Sequence, residues 1–208
     1  MKNLNPYSDD SFTFLENVLK RKKNSKKDGK YKERVTALLG SLKPLFANYD
    51  QAFKNNCLET LVQFGYDEAK SEDLKKLYSY GLTIIQDLKM RIIKTPEGRF
   101  NSTCPNCTVD TIDSFDHFLP ITQFCEFSVH PLNLVPSCTS CNRTKNDSWE
   151  DRATRKFINL YLDILPVEKL LFVETVVSKS NLETKFTLRN DFGIDRELFE
   201  IIESHYTR

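Results

Sequence analysis

The chain contains no uninterrupted apolar run approaching the roughly 18 residues that a membrane-spanning helix requires, so no membrane partner is expected. Its opening residues, Met1 to Pro6, lack the apolar core and small-residue cleavage site of a secretory signal, and a cytoplasmic protein is expected. No internal repeat is present, and no low-complexity tract beyond one lysine-rich run. Charge of one sign is also missing: 30 Lys and Arg face 29 Asp and Glu, for a net of +1, which at face value argues against a nucleic-acid partner. Only three histidines and one tryptophan occur, so an imidazole base has three candidates. What remains is ordinary globular composition, 39% hydrophobic and 28% charged over 208 residues. That is one or two domains with a real core, and it excludes global disorder and fibrous architectures.

The balanced charge conceals two unlike halves. Residues 1–100 carry 19 basic against 13 acidic side chains, a net of +6, and residues 101–208 carry 11 against 16, a net of −5. Nine Lys and Arg lie between Lys20 and Arg34 against Asp28 and Glu33. Such a run suits an anionic partner, and a solvated loop is the competing reading. Lys20, Arg21, Lys22, Lys23, Lys26 and Lys27 are its candidate phosphate contacts.

The first half reads as helical. Phe12, Leu15, Val18 and Leu19 follow helical spacing with Ser8 or Asp9 as N-cap. Val35, Leu38, Leu39 and Leu42 form a second stripe, expected to end at Pro44. Leu74 to Ile92 continues the pattern with a break near Gly81, and residues 95–98 read as a turn and boundary. In the second half, Asp151 to Ile164 resembles a helix, residues 171–177 and 184–188 read as strands, and Asp195 to His205 as a closing helix.

Five of the six cysteines fall in the second half, four of them as Cys104-Pro-Asn-Cys107 and Cys138-Thr-Ser-Cys141. Two C-x-x-C pairs thirty residues apart supply the four sulfur ligands of a tetrahedral structural zinc. Disulfides are disfavoured in a reducing compartment, and a thiol redox pair is disfavoured because two matched pairs occur. Cys57 and Cys125 stand outside the pattern as buried or inert residues. Between the pairs, Asp113-Ser-Phe-Asp-His-Phe-Leu-Pro120 sets an acid beside a histidine in a strand-like stretch, and His130-Pro-Leu-Asn-Leu-Val-Pro-Ser137 gives a loop and a second strand. Residues 138–145 open a helix on which Asn142 and Lys145 share a face.

The ordered set C-x-x-C, Asp-His-Phe-Leu-Pro, Asn-Leu-Val-Pro-Ser-C-x-x-C-Asn-Arg-x-Lys resembles the HNH endonucleases over the 42 residues from Cys104 to Lys145. The third signature position is Asn142, an H-N-N variant. A looser likeness, in Glu126-Phe-Ser and the tail after Trp149, is to small bacterial HNH proteins linked to phage defence. The resemblance implies an α+β chain: a helical region over residues 1–98, then a nuclease domain over 99–208 with a ββα-metal core, a four-cysteine zinc and a C-terminal α/β extension. It implies His117 as general base, because a neutral imidazole suits deprotonation of water near neutral pH. Asp116 and Asn142 are implied as ligands of a catalytic Mg²⁺ or Mn²⁺, hard ions that prefer oxygen. Asn133 is implied to orient the histidine or pin the loop, and Arg143 and Lys145 to contact phosphates. Products would carry a 5′-phosphate and a 3′-hydroxyl.

Adjacent Asp116 and His117 would point to opposite faces of a regular strand, so both serve one site only if the strand ends, twists or bulges there. His130 is a competing base without an adjacent acid, and His205 reads as a surface residue. The leading reading is a metal-dependent nuclease acting on nucleic acid, DNA before RNA. The alternative is a non-catalytic zinc ribbon that binds nucleic acid or adapts a larger complex. In either case the helical first half is a candidate docking surface for a protein such as an ATPase. No helix-turn-helix, second zinc finger or aromatic RNA-binding pattern is present, so binding would rest on phosphate contacts.

Overall fold

The computed structural model describes residues 1–24, 28–151, 154–178 and 181–207. Lys26 and Lys27 of the basic run lie outside them. Helix α1 (Ser11–Arg21) starts where Asp10, not Ser8 or Asp9, accepts the Thr13 amide at 2.6 Å, a side-chain cap for an otherwise unpaired donor. It buries Phe14, Leu15, Val18 and Leu19.

Helix α2 (Tyr31–Lys54) does not stop at Pro44. A proline removes one amide donor and crowds the carbonyl four residues earlier, which here belongs to Gly40. Beyond it Phe46, Tyr49 and Phe53 keep the buried stripe going, and their packing outweighs the lost hydrogen bond. Helices α3 (Glu68–Lys75) and α4 (Thr83–Ile92) flank the expected break around Gly81. The turn at 95–98 closes with Gly98 at φ +80, a left-handed conformation in which glycine avoids the Cβ clash.

Strands β1 (Ser114–His117) and β2 (Leu134–Ser137) pair antiparallel from Ser114 opposite Ser137 to His117 opposite Leu134. Helix α5 (Thr139–Lys145) follows at once and packs on β1. A strand–strand–helix unit therefore carries Asp116, His117 and Asn142, with the second cysteine pair at the start of its helix.

The helix expected over Asp151–Ile164 is absent among the described residues of that segment. Strands β3 (Glu150–Asp151) and β4 (Thr154–Arg155) pair there, and a knot of polar bonds follows. Arg155 forks onto Asp163 at 2.9 and 3.0 Å, and Asp163 also accepts the Asn159 amide at 2.6 Å. Asn3 donates to the carbonyls of Leu160 and Asp163. These partners satisfy the backbone without a helix. Strands β5 (Leu171–Val177) and β6 (Leu182–Leu188) form a hairpin, and helix α6 (Arg196–Tyr206) is capped by Asp195.

The chain is thus α+β, with helices and three two-stranded sheets among the described residues. One buried cluster joins Phe46 and Tyr49 of α2 to Phe115, Phe127 and Leu134 around the strand pair. No helix among the described residues is long and apolar enough to cross a membrane.

Candidate metal centre and adjoining cleft

The two cysteine pairs converge. Their four sulfurs lie within 4.8 Å of one another, with Cys107 and Cys138 at 3.8 Å. A tetrahedron with metal–sulfur bonds near 2.3 Å has edges of about 3.8 Å, so the set fits a metal ion such as zinc. Backbone amides already point at the sulfurs: Cys138 N–H donates to Cys104 Sγ at 3.3 Å, and Cys141 N–H to Cys138 Sγ at 3.4 Å. Burial pushes the Cys138 thiol up to about 11 and raises Cys141. At Cys107 burial is outweighed by backbone donors at Asp110 and Val109, and the thiol falls to about 7. Metal binding would displace the remaining thiol protons.

Cys138 is also the N-cap of α5, so the sulfur cluster sets where that helix begins. Asp113 steadies the same end, accepting from both the amide and hydroxyl of Thr139 at 2.7 and 3.0 Å. One turn on, Asn142 donates to the Phe115 carbonyl at 3.2 Å, and Lys145 donates to Asp116 Oδ1 at 3.1 Å and to the His117 carbonyl at 2.7 Å. The expected shared face of Asn142 and Lys145 is therefore turned onto β1.

Strand β1 ends at His117, which lets Asp116 and His117 border one opening despite being neighbours. They line a cleft of about 210 Å³ with Pro120, Ile121, Asn142 and Arg143. His117 Nε2 lies 2.8 Å from the Ser128 carbonyl, which can only accept, so the proton sits on Nε2 and Nδ1 keeps its lone pair. Tyr78 packs edge-on against the ring at 4.7 Å. Burial lowers the His117 pKa to about 4, with the Ser128 carbonyl pulling the other way, and the ring is neutral near pH 7. Burial raises the Asp116 carboxyl, opposed by Lys145.

Asn133 is fully buried and pins the loop between the strands. Its oxygen accepts from the Leu119 amide at 2.7 Å and the Tyr49 hydroxyl at 3.2 Å. Its nitrogen donates to the carbonyls of Leu119 and Phe127 at 3.1 and 3.2 Å. Of its two expected roles, these contacts are those of pinning the loop, which they tie to Tyr49 of α2.

Arg143 is exposed at the cleft, as a phosphate contact requires. Lys145 is not: it is 5% exposed, because its ammonium is bonded inward to Asp116. His130 does have an acid neighbour, Asp50 Oδ1 at 3.4 Å, supplied by α2 rather than by sequence adjacency. The ring is nonetheless sealed between Tyr49 and Phe46, out of reach of any substrate. His205 is half-buried rather than fully exposed. It packs edge-on against Phe157 at 5.6 Å and lines a hollow of about 270 Å³ beside Asp116 and Lys145.

In the basic run, Lys20 and Lys23 are exposed, Arg21 reaches Asp87 at 3.6 Å, and Lys22 donates to the Lys76 carbonyl. Arg34 is consumed by Asp28 and Asp73. Ser128, Tyr78, Tyr49 and Asp113 join the site without being expected there. The first three come from outside the two strands and the helix, and no spacing in the chain announces them. Asp113 is legible in the sequence, since it opens the Asp113–Pro120 stretch.

A 40-residue stretch is 55% identical to Protein ea31 of Escherichia phage lambda. It covers 19% of this chain and 14% of that protein. No family model matches the chain. No solved structure matches it.

Proposed function

We propose that the chain is a metal-dependent endonuclease of the HNH type that hydrolyses phosphodiester bonds of nucleic acid, DNA before RNA. The observation that carries this reading is the cleft at the end of β1, where Asp116, His117, Asn142 and Arg143 meet beside a four-sulfur cluster. His117 acts as general base through Nδ1. Its Nε2–H is anchored on Ser128, so the ring holds one orientation and one tautomer while it takes a proton from water. Asp116 offers the ion a carboxylate at the cleft, with one of its oxygens held by the Lys145 ammonium. Asn142 offers an amide oxygen while its nitrogen holds the Phe115 carbonyl. A bound Mg²⁺ or Mn²⁺ would offset negative charge on the phosphate and the leaving oxygen. Arg143 would grip a flanking phosphate at the rim. The four cysteines hold a structural zinc that fixes α5 against β1. A role in phage defence is part of the same proposal, as is docking of a protein such as an ATPase on the helical half.

The inward bonding of Lys145 and Asn142 favours one competitor, a zinc-braced module that binds nucleic acid without cutting it. Incubating the pure protein with plasmid and Mg²⁺ separates the two. The nuclease reading expects nicked or linear product bearing 5′-phosphates, abolished when Mg²⁺ is left out of the zinc-loaded reaction. Salt-sensitive binding with no cleavage of duplex, single-stranded DNA or RNA would favour the binding module.

A further inference from the structure

Lys145 closes α5 with its ammonium on Asp116 Oδ1 and on the His117 carbonyl, at 3.1 and 2.7 Å, and only 5% of the residue is exposed. Two oxygens, one of them a carboxylate, thus already coordinate a monovalent cation at the cleft where the divalent ion would bind. Two positive charges a few ångströms apart repel strongly where little water screens them, so a divalent ion on either oxygen of Asp116 makes the ammonium's present seat costly.

An aromatic face already within cation–π reach of the ammonium offers it a second seat. The hollow of about 270 Å³ behind the pair is lined by Lys145 and Asp116 together with Phe157, Ile158, His205 and Tyr206. The Lys145 Nζ is 5.5 Å from the centre of the Phe157 ring, whose face attracts cations. A lysine stem with four flexible carbons can swing between such seats without moving its backbone.

We propose that Lys145 is the resident counter-ion of the cation site: its ammonium holds the divalent ion's place on Asp116 and withdraws toward Phe157 when that ion binds. This rests on the reading of Asp116 as a cation ligand. It gives the C-terminal elements a task, because Phe157, His205 and Tyr206 shape the space into which Lys145 retreats. It also sets the cation affinity of the free protein low, so that Asp116 is not left as an unpaired buried carboxylate before the cation arrives.

The test measures Mn²⁺ binding to the zinc-loaded full chain without nucleic acid, by calorimetry and by the electron paramagnetic resonance of free Mn²⁺. Lys145→Met should bind Mn²⁺ about tenfold tighter or more than the wild type, and Mn²⁺ should raise its melting temperature by more. Lys145→Gln, which keeps hydrogen-bond donors without the charge, carries the same comparison should Lys145→Met not fold. Unchanged or weaker Mn²⁺ affinity in a folded variant overturns the counter-ion role. Asp116→Asn distinguishes the two levels of failure. If it abolishes Mn²⁺ binding while the Lys145 variants gain nothing, the counter-ion role alone falls. If it binds Mn²⁺ as the wild type does, Asp116 is not the ligand and both readings fall.

Discussion

Asn133 engages four partners from a fully buried position, and none of them can turn to water if it is removed. Asn133→Ala should therefore destabilise the protein by about 3 kcal/mol, because unpaired buried polar groups cost ~1–3 kcal/mol each and partial relaxation recovers some of the total. Urea unfolding checks this; a loss under ~1 kcal/mol would mean the loop does not depend on the amide. The buried His130 makes a pH-dependent contribution. Burial holds its pKa below the ordinary 6.5, with Asp50 opposing. A histidine that stays neutral when folded but takes a proton when unfolded contributes full stability above about pH 6.5 and loses it as pH falls below that value. Wild-type stability should decline from about pH 6.5 downward more steeply than that of His130→Phe. Parallel curves would assign the acid sensitivity elsewhere.

At the scale of elements, the cysteine spacing and the Asp-His and Asn-Arg-x-Lys segments are legible in the sequence because they are local: each sits within one turn or strand, and short-range geometry decides it. Pro44 misleads because proline propensity is local whereas the stripe of Phe46, Tyr49 and Phe53 is satisfied only by the rest of the core. The segment after Trp149 misleads because its backbone is satisfied by Asn3 and by Asp163, whose carboxylate Arg155 holds in place, and the first of these comes from the other end of the chain. The acid beside His130 is hidden for the same reason, since Asp50 lies far earlier in sequence, on α2. The sulfur cluster carries its own prediction. α5 is only seven residues long, too short to hold itself, and its N-cap is a cluster cysteine. Chelating zinc should loosen the β1–β2–α5 unit and abolish activity, whereas withdrawing Mg²⁺ should abolish activity with the fold intact. Circular dichroism and cleavage measured on the same samples separate the two, and full activity without zinc would contradict this division of labour.

Over the whole molecule, a net charge of +1 averages a basic helical half with an acidic half that carries the cleft. The halves are not strangers. Ser128, whose carbonyl holds His117, donates its hydroxyl to the Leu74 carbonyl of α3, and Tyr78 just beyond α3 packs on the same histidine. Lys76, two residues before Tyr78 in the chain, lines a hollow with Lys22 and Lys23. Nucleic-acid affinity should therefore fall steeply with salt. Replacing Lys20, Lys22, Lys23, Lys26 and Lys27 by glutamine should flatten that dependence, by up to about 0.9 in log–log slope for each phosphate of duplex DNA that is no longer neutralised. An unchanged slope would clear the run of any part in binding.

The central claim is that His117 is the base of a cation-dependent hydrolysis. It is tested most directly by single-turnover cleavage of duplex DNA, comparing the wild type with His117→Ala at matched zinc content and matched circular dichroism. The expected result is Mg²⁺-dependent cleavage by the wild type and a loss of about 10²–10⁴-fold in the variant, the usual worth of a general base. Equal cleavage by the two folded, zinc-loaded proteins would contradict it.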